Sequence, residues 1–155
     1  MAVSFINAAN GGTVSTSTFQ IVIPTVAVGD LLIVEFVHRS ANLGAVDDDD
    51  TGGDTWTYKG EQQFVSRVTT CSIQQYYKRA TSATSAKTIT ASSLTNSSAG
   101  ILTVYRDAVA SGDPFEAWLG ESNASGNETQ AEITTITPNA MVCLVVGNSP
   151  LQSVS

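Results

Sequence analysis

Acidic side chains are concentrated in one short segment, "AVDDDDTGGDTWTY" (residues 45–58), which holds five of the fourteen acidic residues of the chain. Asp47 and Asp49, with the threonine and glycine that follow them, have the spacing of the first half of a calcium loop. In such a loop side-chain oxygens occupy positions 1, 3 and 5, and glycine occupies position 6. The twelfth position, which is a bidentate acid in an EF-hand, is Tyr58. The pattern therefore excludes an EF-hand.

Two interpretations of this acidic segment stay open. A non-helical calcium site would use Asp47, Asp49 and Asp54, because carboxylate oxygens suit a hard cation. Alternatively the aspartates form a solvated turn, since physiological salt screens their repulsion beyond about 8 Å. Calcium is thus a candidate ligand, and the sequence predicts no other cofactor.

The chain has few residues of the types that act in catalysis, and their positions in the sequence do not match a known catalytic arrangement. Nucleophilic catalysis needs a base beside a serine or cysteine, and the one histidine, His38, ends an apolar strand on the face of Phe36. This position favours a structural histidine. Glu116 and Glu121 flank Trp118, but residues at i and i+5 on a strand and its turn point to different faces, which argues against a glycosidase pair. The sequence predicts no catalytic residues and no enzymatic activity.

The aromatic residues allow a binding interpretation. Trp56, Tyr58, Tyr76, Tyr77 and Trp118 could form a carbohydrate-binding platform on a sheet. The alternative is that they fill the core and anchor interfaces, where buried aromatic side chains are common. Adjacent Tyr76 and Tyr77 must face opposite sides of a strand, so one of them is predicted to lie in the core.

Composition and charge narrow the range of partners. A chain of 155 residues is one ordinary domain, and residues 1–155 are predicted to form it. Charged residues make up only 14%, against a usual share of about a quarter. Of the net charge of −7, the five aspartates of the acidic segment contribute −5. The absence of a basic patch argues against a nucleic-acid partner.

Neither a membrane segment nor a cleaved signal is predicted. Apolar runs are strand-sized, well short of the roughly 18 residues of a membrane span. The amino-terminal residues have neither a basic region nor an apolar core of signal type. Cys71 and Cys143 lie in apolar or threonine-rich runs, which favours buried free thiols over a disulfide.

Hydrophobic residues alternate with period two, which predicts strands. Residues 18–23 form a half-buried strand with Phe19, Ile21 and Ile23 on one face, and the run within 28–38 is apolar on both faces, as in a central strand. Further strands are predicted at 55–59, 64–80 (one long or bent strand), 86–92 (an edge strand), 100–106, 114–120, 130–137 and 141–146. Turn residues separate them. This pattern indicates an all-β protein, an antiparallel β-sandwich with a jelly-roll-like arrangement.

The order of short motifs resembles a jelly-roll-like module of phage virion proteins, especially capsid decoration (cement) proteins and tail or fibre proteins. It also occurs in some bacterial surface proteins. The resemblance covers nearly all of residues 1–146 and carries no catalytic residues. The motifs are "VGDLLIVEFV" (28–37), "DTWTY" (54–58), "QQYYKRA" (74–80), "KTITAS" (87–92), "AGILTVYRDAV" (99–109), "PFEAW" (114–118) and "TTITPNAMVCLVV" (134–146).

The resemblance implies a structural virion protein, made in the host cytoplasm, that binds capsid or other virion structural proteins. A capsid decoration subunit is the leading expectation, with a homo-oligomer, plausibly a trimer, on the capsid lattice. The alternative is a carbohydrate-binding or adhesive module of a phage fibre or bacterial surface protein. The second half of the module, from Pro138, is expected to lack its closing strands, so the carboxy-terminal strand or tail is predicted to pack against a neighbouring subunit.

Overall fold

The computed structural model describes residues 2–14, 18–38, 46–48, 56–66, 69–83, 87–92, 98–119, 134–138 and 140–142. Within these ranges the chain has eight β-strands and no helix. They are β1 (Ser4–Val14), β2 (Phe19–Val22), β3 (Leu31–His38), β4 (Val46–Asp48), β5 (Thr57–Ser66), β6 (Thr69–Arg79), β7 (Thr88–Ala91) and β8 (Ser98–Arg106). A large sheet has the order β1-β8-β3-β6-β5 and a small sheet the order β2-β7-β4, and all pairs are antiparallel.

The two sheets share one hydrophobic core, so the predicted all-β antiparallel sandwich is confirmed. The alternation in β2 determines which side chains enter this core: Phe19 and Ile21 are buried, whereas Val22, the last residue of β2, is 58% exposed. From the large sheet the core receives apolar side chains of β3 and β8, and from the small sheet those of β2 and β7. The core contains Phe19, Ile21, Ile23, Val26, Leu32, Val34, Phe36, Trp56, Ala80, Ile89, Ala91, Leu102 and Val104.

Strand β3 is the centre of the large sheet, between β6 and β8. Leu32, Val34 and Phe36 face the small sheet; we call this side of the large sheet the inner face. Leu31 and Ile33 point to the opposite, outer face and are also buried, at 4% and 3% exposure. The strand is therefore apolar on both faces because both faces are covered, as the sequence predicts.

The outer face is covered by the segment that follows β8. Phe115 packs edge-to-face on Tyr77, with ring centroids 5.4 Å apart. Asp113 forms an ion pair with Lys59, with Oδ2 and Nζ 2.6 Å apart, and the ring of Trp118 lies against Gly60. Residues 107–119 thus form a flap that supplies part of the outer packing. No strand is formed by residues 114–119, so the strand predicted at 114–120 is wrong for the described part of that range.

A turn hydrogen bond joins the start of β3 to the end of β6, and an ion pair joins it to the end of β8. Gly29 has a φ of +87°, a conformation that favours glycine, and its N–H donates to the carbonyl of Ala80 at 2.7 Å. The carboxylate of Asp30 accepts a hydrogen bond from the N–H of Ala27 at 2.8 Å. The same carboxylate accepts two hydrogen bonds from the Arg106 guanidinium, from Nε and Nη2, both at 2.8 Å. Asp30 is 2% exposed.

Two glycines allow the sheets to approach closely. A Cβ at Gly11 would collide with the ring of Phe19 and the carbonyl of Gln20, and a Cβ at Gly100 would lie 2.8 Å from Phe36 Cδ1 and 2.9 Å from Phe19 Cε1. The rings of Phe19 and Phe36 meet edge-to-face at 5.7 Å directly over Gly100. A bare backbone at these positions lets both rings lie in the space that a side chain would occupy.

Gly100→Ala is therefore expected to lower the free energy of unfolding by about 1 to 3 kcal/mol, because an added methyl group would overpack the Phe19–Phe36 contact. Urea denaturation measures the change. Ala99→Val is the matched control: it adds volume at the neighbouring, half-buried position of β8, on the opposite face, and we expect a smaller loss. An equal loss in both variants would contradict the packing argument.

Two further strand assignments from the sequence differ from the structure. The single strand predicted at 64–80 is wrong: β5 and β6 are separate antiparallel strands, with Ser66 opposite Thr69. Residues 67 and 68 are Arg and Val, so no turn residue marks the break. The predicted edge strand within 86–92 is instead the middle strand of the small sheet, since Ile89 pairs with both Ile21 and Asp48.

The other differences from the sequence-based prediction are two strands that it lacks and two predicted strands near the carboxy terminus. Strand β1 was not anticipated, because its asparagines and glycines read as turn residues, and the three-residue β4 lies inside the acidic segment. Residues 134–137 and 141–142 are not in strands, so the predicted strands at 130–137 and 141–146 are wrong there. Their other residues, like the tail at 147–155, lie outside the described ranges.

Cys71 is a buried free thiol, as predicted, whereas Cys143 lies outside the described ranges. In the part of the chain that the structure describes, no helix is long and apolar enough to cross a bilayer.

Candidate functional site

The structure describes one of the three predicted calcium ligands. Asp47 is exposed in β4, where it pairs with Thr90 of β7. Asp49 and Asp54 lie outside the described residues. Among the residues that are described, no three His, Cys, Asp or Glu side chains come close enough together to hold a metal ion. The calcium loop therefore stays a prediction.

Calcium titration distinguishes a cation site from a solvated turn. A ligand that binds only the folded state stabilises it by about 2.7 kcal/mol at a hundredfold excess over its Kd. If the segment binds calcium, the melting temperature rises with calcium concentration, and the rise is lost in Asp47→Asn. An unchanged melting temperature in the wild-type protein would assign the aspartates to solvent.

Polar and aromatic side chains come together on the inner face of β5 and β6. Register brings them there: Tyr58 lies opposite Tyr76, Glu61 opposite Gln74, and Gln63 opposite Ser72. A register shift at Lys59 keeps Tyr58 and Glu61 on the same face, although they are three residues apart. We call this group the β5–β6 cluster; its members are Tyr58, Glu61, Gln63, Ser72, Gln74 and Tyr76.

Hydrogen bonds fix the carboxylate of Glu61 at the centre of the β5–β6 cluster. Gln63 Nε2 donates to Glu61 Oε1 and Gln74 Nε2 donates to Glu61 Oε2, both at 3.1 Å. Tyr76 donates its hydroxyl proton to Gln74 Oε1 at 3.0 Å. Both carboxylate oxygens are thus oriented by amides, which use two of the four lone pairs of the carboxylate.

Electrostatics set the protonation states in the cluster. Partial burial raises the pKa of Glu61, but the Ser72 hydroxyl, the Gln63 and Gln74 amides and the charge of His38 together hold that pKa below its usual range. Burial raises the pKa of Tyr76 to about 12, and electrostatic repulsion from Tyr58 and Glu61 contributes to this increase. At neutral pH the cluster therefore contains one carboxylate and protonated phenols.

Tyr58 is the exposed aromatic of the cluster. Its side chain is 51% exposed, and its ring lies against that of Tyr76, with centroids 5.4 Å apart and planes tilted by 59°. The strand of the small sheet that contacts the large sheet directly, β2, lies over β1 and β8, at the edge of the large sheet opposite β5. The cluster thus lies on the part of the inner face that is distant from β2.

His38 is a core residue. It is 1% exposed and faces the small sheet, in register with Ser72 of β6 on one side and Ser98 of β8 on the other. The buried position agrees with the structural role that the sequence favours.

The five aromatic residues that could form a carbohydrate-binding platform do not lie on one surface. Trp56 is 6% exposed in the core, with Lys78 Nζ 5.5 Å above its ring. Tyr77 and Trp118 belong to the outer packing beneath and within the flap. Tyr76 and Tyr77 do face opposite sides of β6, as predicted, since Tyr76 packs against the core and Tyr77 against Phe115.

Of the two glutamates weighed as a glycosidase pair, Glu116 is described, and it connects two segments. Its Oε2 accepts a hydrogen bond from the N–H of Ile136 at 3.1 Å, and its Oε1 accepts one from the hydroxyl of Thr137. Glu121 lies outside the described residues. The contacts of Glu116 hold the flap to residues 136–137.

A second polar group lies on the outer face and was not predicted. Glu35 in the middle of β3 is 3% exposed, and Gln75 Nε2 donates to its Oε1 at 2.8 Å. Burial raises the pKa of Glu35, an effect that the Gln75 hydrogen bond only partly opposes. Within the described part of the chain, the buried Oε1 of Gln75 receives no hydrogen bond. An acceptor without a donor therefore lies beside a buried carboxyl group.

Comparison with known proteins adds no relative: no protein-family model, no curated protein and no solved structure matches the chain.

Proposed function

We propose that the protein is a structural virion subunit, a capsid decoration (cement) protein that binds neighbouring capsid proteins and performs no catalysis. The observation that carries this proposal is the ordered series of motifs along residues 1–146, which resembles the jelly-roll-like module of phage virion proteins. The jelly-roll arrangement itself is part of the proposal. The all-β fold with two antiparallel sheets is compatible with it.

One charged residue in each of two of these motifs has an architectural use in this chain. Asp30 of "VGDLL" and Arg106 of "VYRDA" form the ion pair that joins the start of β3 to the end of β8. Asp30 and Arg106, whose residue types can also serve in catalysis, thus join two neighbouring strands of the large sheet, which supports a structural role.

The β1–β8 side of the molecule supports contact with protein partners. No charged residue occurs in residues 2–29, although the chain carries a net charge of −7. Apolar side chains are exposed on this side: Phe5 by 54%, Ile6 by 37% and Ile101 by 38%. Apart from Arg106 at the end of β8, whose side chain is 45% exposed, this side thus combines exposed apolar side chains with few charges, as interaction surfaces do.

The free edge of β1 is less suited to strand addition. Its pairing with β8 shifts register twice, and the Asn7 side chain accepts the N–H of Ala8 at 2.8 Å. Irregularities of this kind protect edges from other strands. We therefore propose that partners contact the β1–β8 side through its side chains. From the resemblance to virion proteins we further propose that copies of the chain assemble as a trimer on a capsid lattice.

The test is association with particles. Tagged protein is mixed with purified capsids that lack it, the particles are sedimented, and bound protein is located by electron cryomicroscopy. Regular density on the capsid surface is expected, with loss of binding in Phe5→Glu/Ile101→Glu. Val28→Glu, which adds charge at a turn residue that is 67% exposed, is the control. Protein found only in the supernatant would contradict the decoration role.

Assembly of the isolated protein is tested separately by sedimentation equilibrium. A trimer is expected, and removal of residues 147–155 is expected to weaken it if the tail packs against a neighbouring subunit. An unchanged trimer after truncation would contradict the tail contact and leave the trimer itself intact.

A carbohydrate-binding or adhesive module of a phage fibre or bacterial surface protein is the second candidate. The observation that favours it is the exposed ring of Tyr58 beside the fixed carboxylate of Glu61.

A further inference from the structure

Three side chains at the accessible side of the β5–β6 cluster offer complementary groups to a ligand. Tyr58 presents an aromatic face that is half exposed. The carboxylate of Glu61 is ionised and held by two amides, and Gln63 is exposed, with an amide oxygen that accepts hydrogen bonds. The cluster therefore combines an apolar plane with acceptors of fixed orientation.

From this arrangement we propose that Tyr58, Glu61 and Gln63 bind a neutral saccharide. The C–H face of a pyranose ring would pack on Tyr58, as apolar groups do on aromatic rings. Two adjacent hydroxyl groups would donate to the oxygens of Glu61 and Gln63. This inference rests on the second candidate function and is independent of the decoration role.

The side chains of the β5–β6 cluster are pre-organised, which lets a small number of contacts bind a saccharide. Gln74 is 6% exposed; its Nε2 donates a hydrogen bond to one oxygen of Glu61, and its Oε1 accepts a hydrogen bond from the hydroxyl of Tyr76. The carboxylate is thus in place before a ligand arrives, and little side-chain entropy is lost on binding. Tyr76 supports the ring of Tyr58 from the side of the core.

Charge defines the class of saccharide. Glu61 is ionised, the acidic segment adds negative charge, and the net charge of the chain is −7. An acidic polysaccharide would be repelled, whereas the hydroxyl groups of a neutral sugar can donate to a carboxylate at little electrostatic cost.

Saturation-transfer-difference NMR and calorimetry with cellotetraose and lactose test the proposal, with polygalacturonate as the acidic comparison. Binding of a neutral oligosaccharide is expected with a Kd of roughly millimolar or below, that is about −4 kcal/mol or more favourable. We expect Tyr58→Ala and Glu61→Gln each to weaken this binding about tenfold, since one such contact corresponds to about 1.4 kcal/mol. No binding to polygalacturonate is expected.

Two controls keep a structural role distinct from a binding role. Phe5→Ala removes an aromatic side chain that is as exposed as Tyr58 but lies on β1, and it should leave the Kd unchanged. Melting temperatures show whether each variant is folded. If neither neutral probe binds folded wild-type protein, or if binding survives both cluster variants, the proposal is wrong. Particle association is measured independently, so either result leaves the decoration role testable.

Discussion

Asp30→Ala is expected to lower the free energy of unfolding by about 3 kcal/mol, since the variant loses three hydrogen bonds to a buried carboxylate. Two of them come from the Arg106 guanidinium and one from the N–H of Ala27, so the loss affects both the end of β8 and the turn before β3. Chemical denaturation measures the change. Arg106→Gln should also destabilise the protein, because it leaves the Asp30 carboxylate buried without its cation.

Asp47→Ala is the matched control, because it removes an exposed carboxylate from a strand of the small sheet. We expect a change below about 0.5 kcal/mol, as for most surface substitutions. Similar losses at Asp30 and Asp47 would mean that net charge, and not the ion pair, determines the effect.

The ion pair also predicts a dependence on acid. The hydrogen bonds from Arg106 hold the pKa of Asp30 below its ordinary value, despite burial. A carboxyl group with a lowered pKa in the folded state stabilises the fold above its unfolded pKa of about 4, and this contribution is lost as the pH falls through the folded-state value. Stability should therefore fall in acid, and more steeply in the wild-type protein than in Asp30→Ala.

Glu35→Gln is expected to raise the free energy of unfolding at neutral pH by about 1 to 2 kcal/mol. The substitution removes a buried negative charge and adds an N–H donor that can reach the buried Oε1 of Gln75, an acceptor that no described residue satisfies. Two neighbouring amides can then donate to each other. Urea denaturation at neutral pH measures the gain.

The pH profile separates this explanation from a simple packing effect. Because burial raises the pKa of Glu35 in the folded state, its contribution to stability is largest below the unfolded pKa of about 4 and is lost as the pH rises through the folded-state value. The advantage of Glu35→Gln should therefore shrink on acidification.

Glu61→Gln is the matched control, because the pKa of Glu61 is lowered instead. We expect this variant to lose stability at neutral pH and to approach the wild-type protein in acid. A gain in both variants would contradict the assignment of opposite roles to the two glutamates.

Fold class was predictable because the strongest signals lie in the buried strands. The alternation of Phe19, Ile21 and Ile23 and the doubly apolar run of β3 directly reflect which faces are covered. Boundaries were less predictable: Arg67 and Val68 carry no turn signal, so the sequence predicts one strand where β5 and β6 are two. Strand β1 was missed because pairing with β8 outweighs the turn preference of its asparagines and glycines.

The β5–β6 cluster could not be predicted, because its members meet only through register. Glu61 and Gln74 are thirteen positions apart and become neighbours when β5 and β6 pair, with the shift at Lys59 deciding the face. Glu35 was missed for a related reason. Glu35 and Gln75 are forty positions apart and meet only when β3 and β6 pair, so the sequence does not show that they lie together on the outer face.

The place of β8 between β1 and β3 has a consequence for synthesis. Both neighbours precede it in the chain, and β3 ends at His38, while β8 ends at Arg106. At about 10 residues per second the ribosome needs roughly 7 s to make the intervening chain. During that time β1 lacks its partner and one side of β3 is unpaired, so the nascent chain exposes strand edges that could bind another chain. Newly made protein should therefore depend on chaperones until residue 106 has emerged, whereas the mature fold should not.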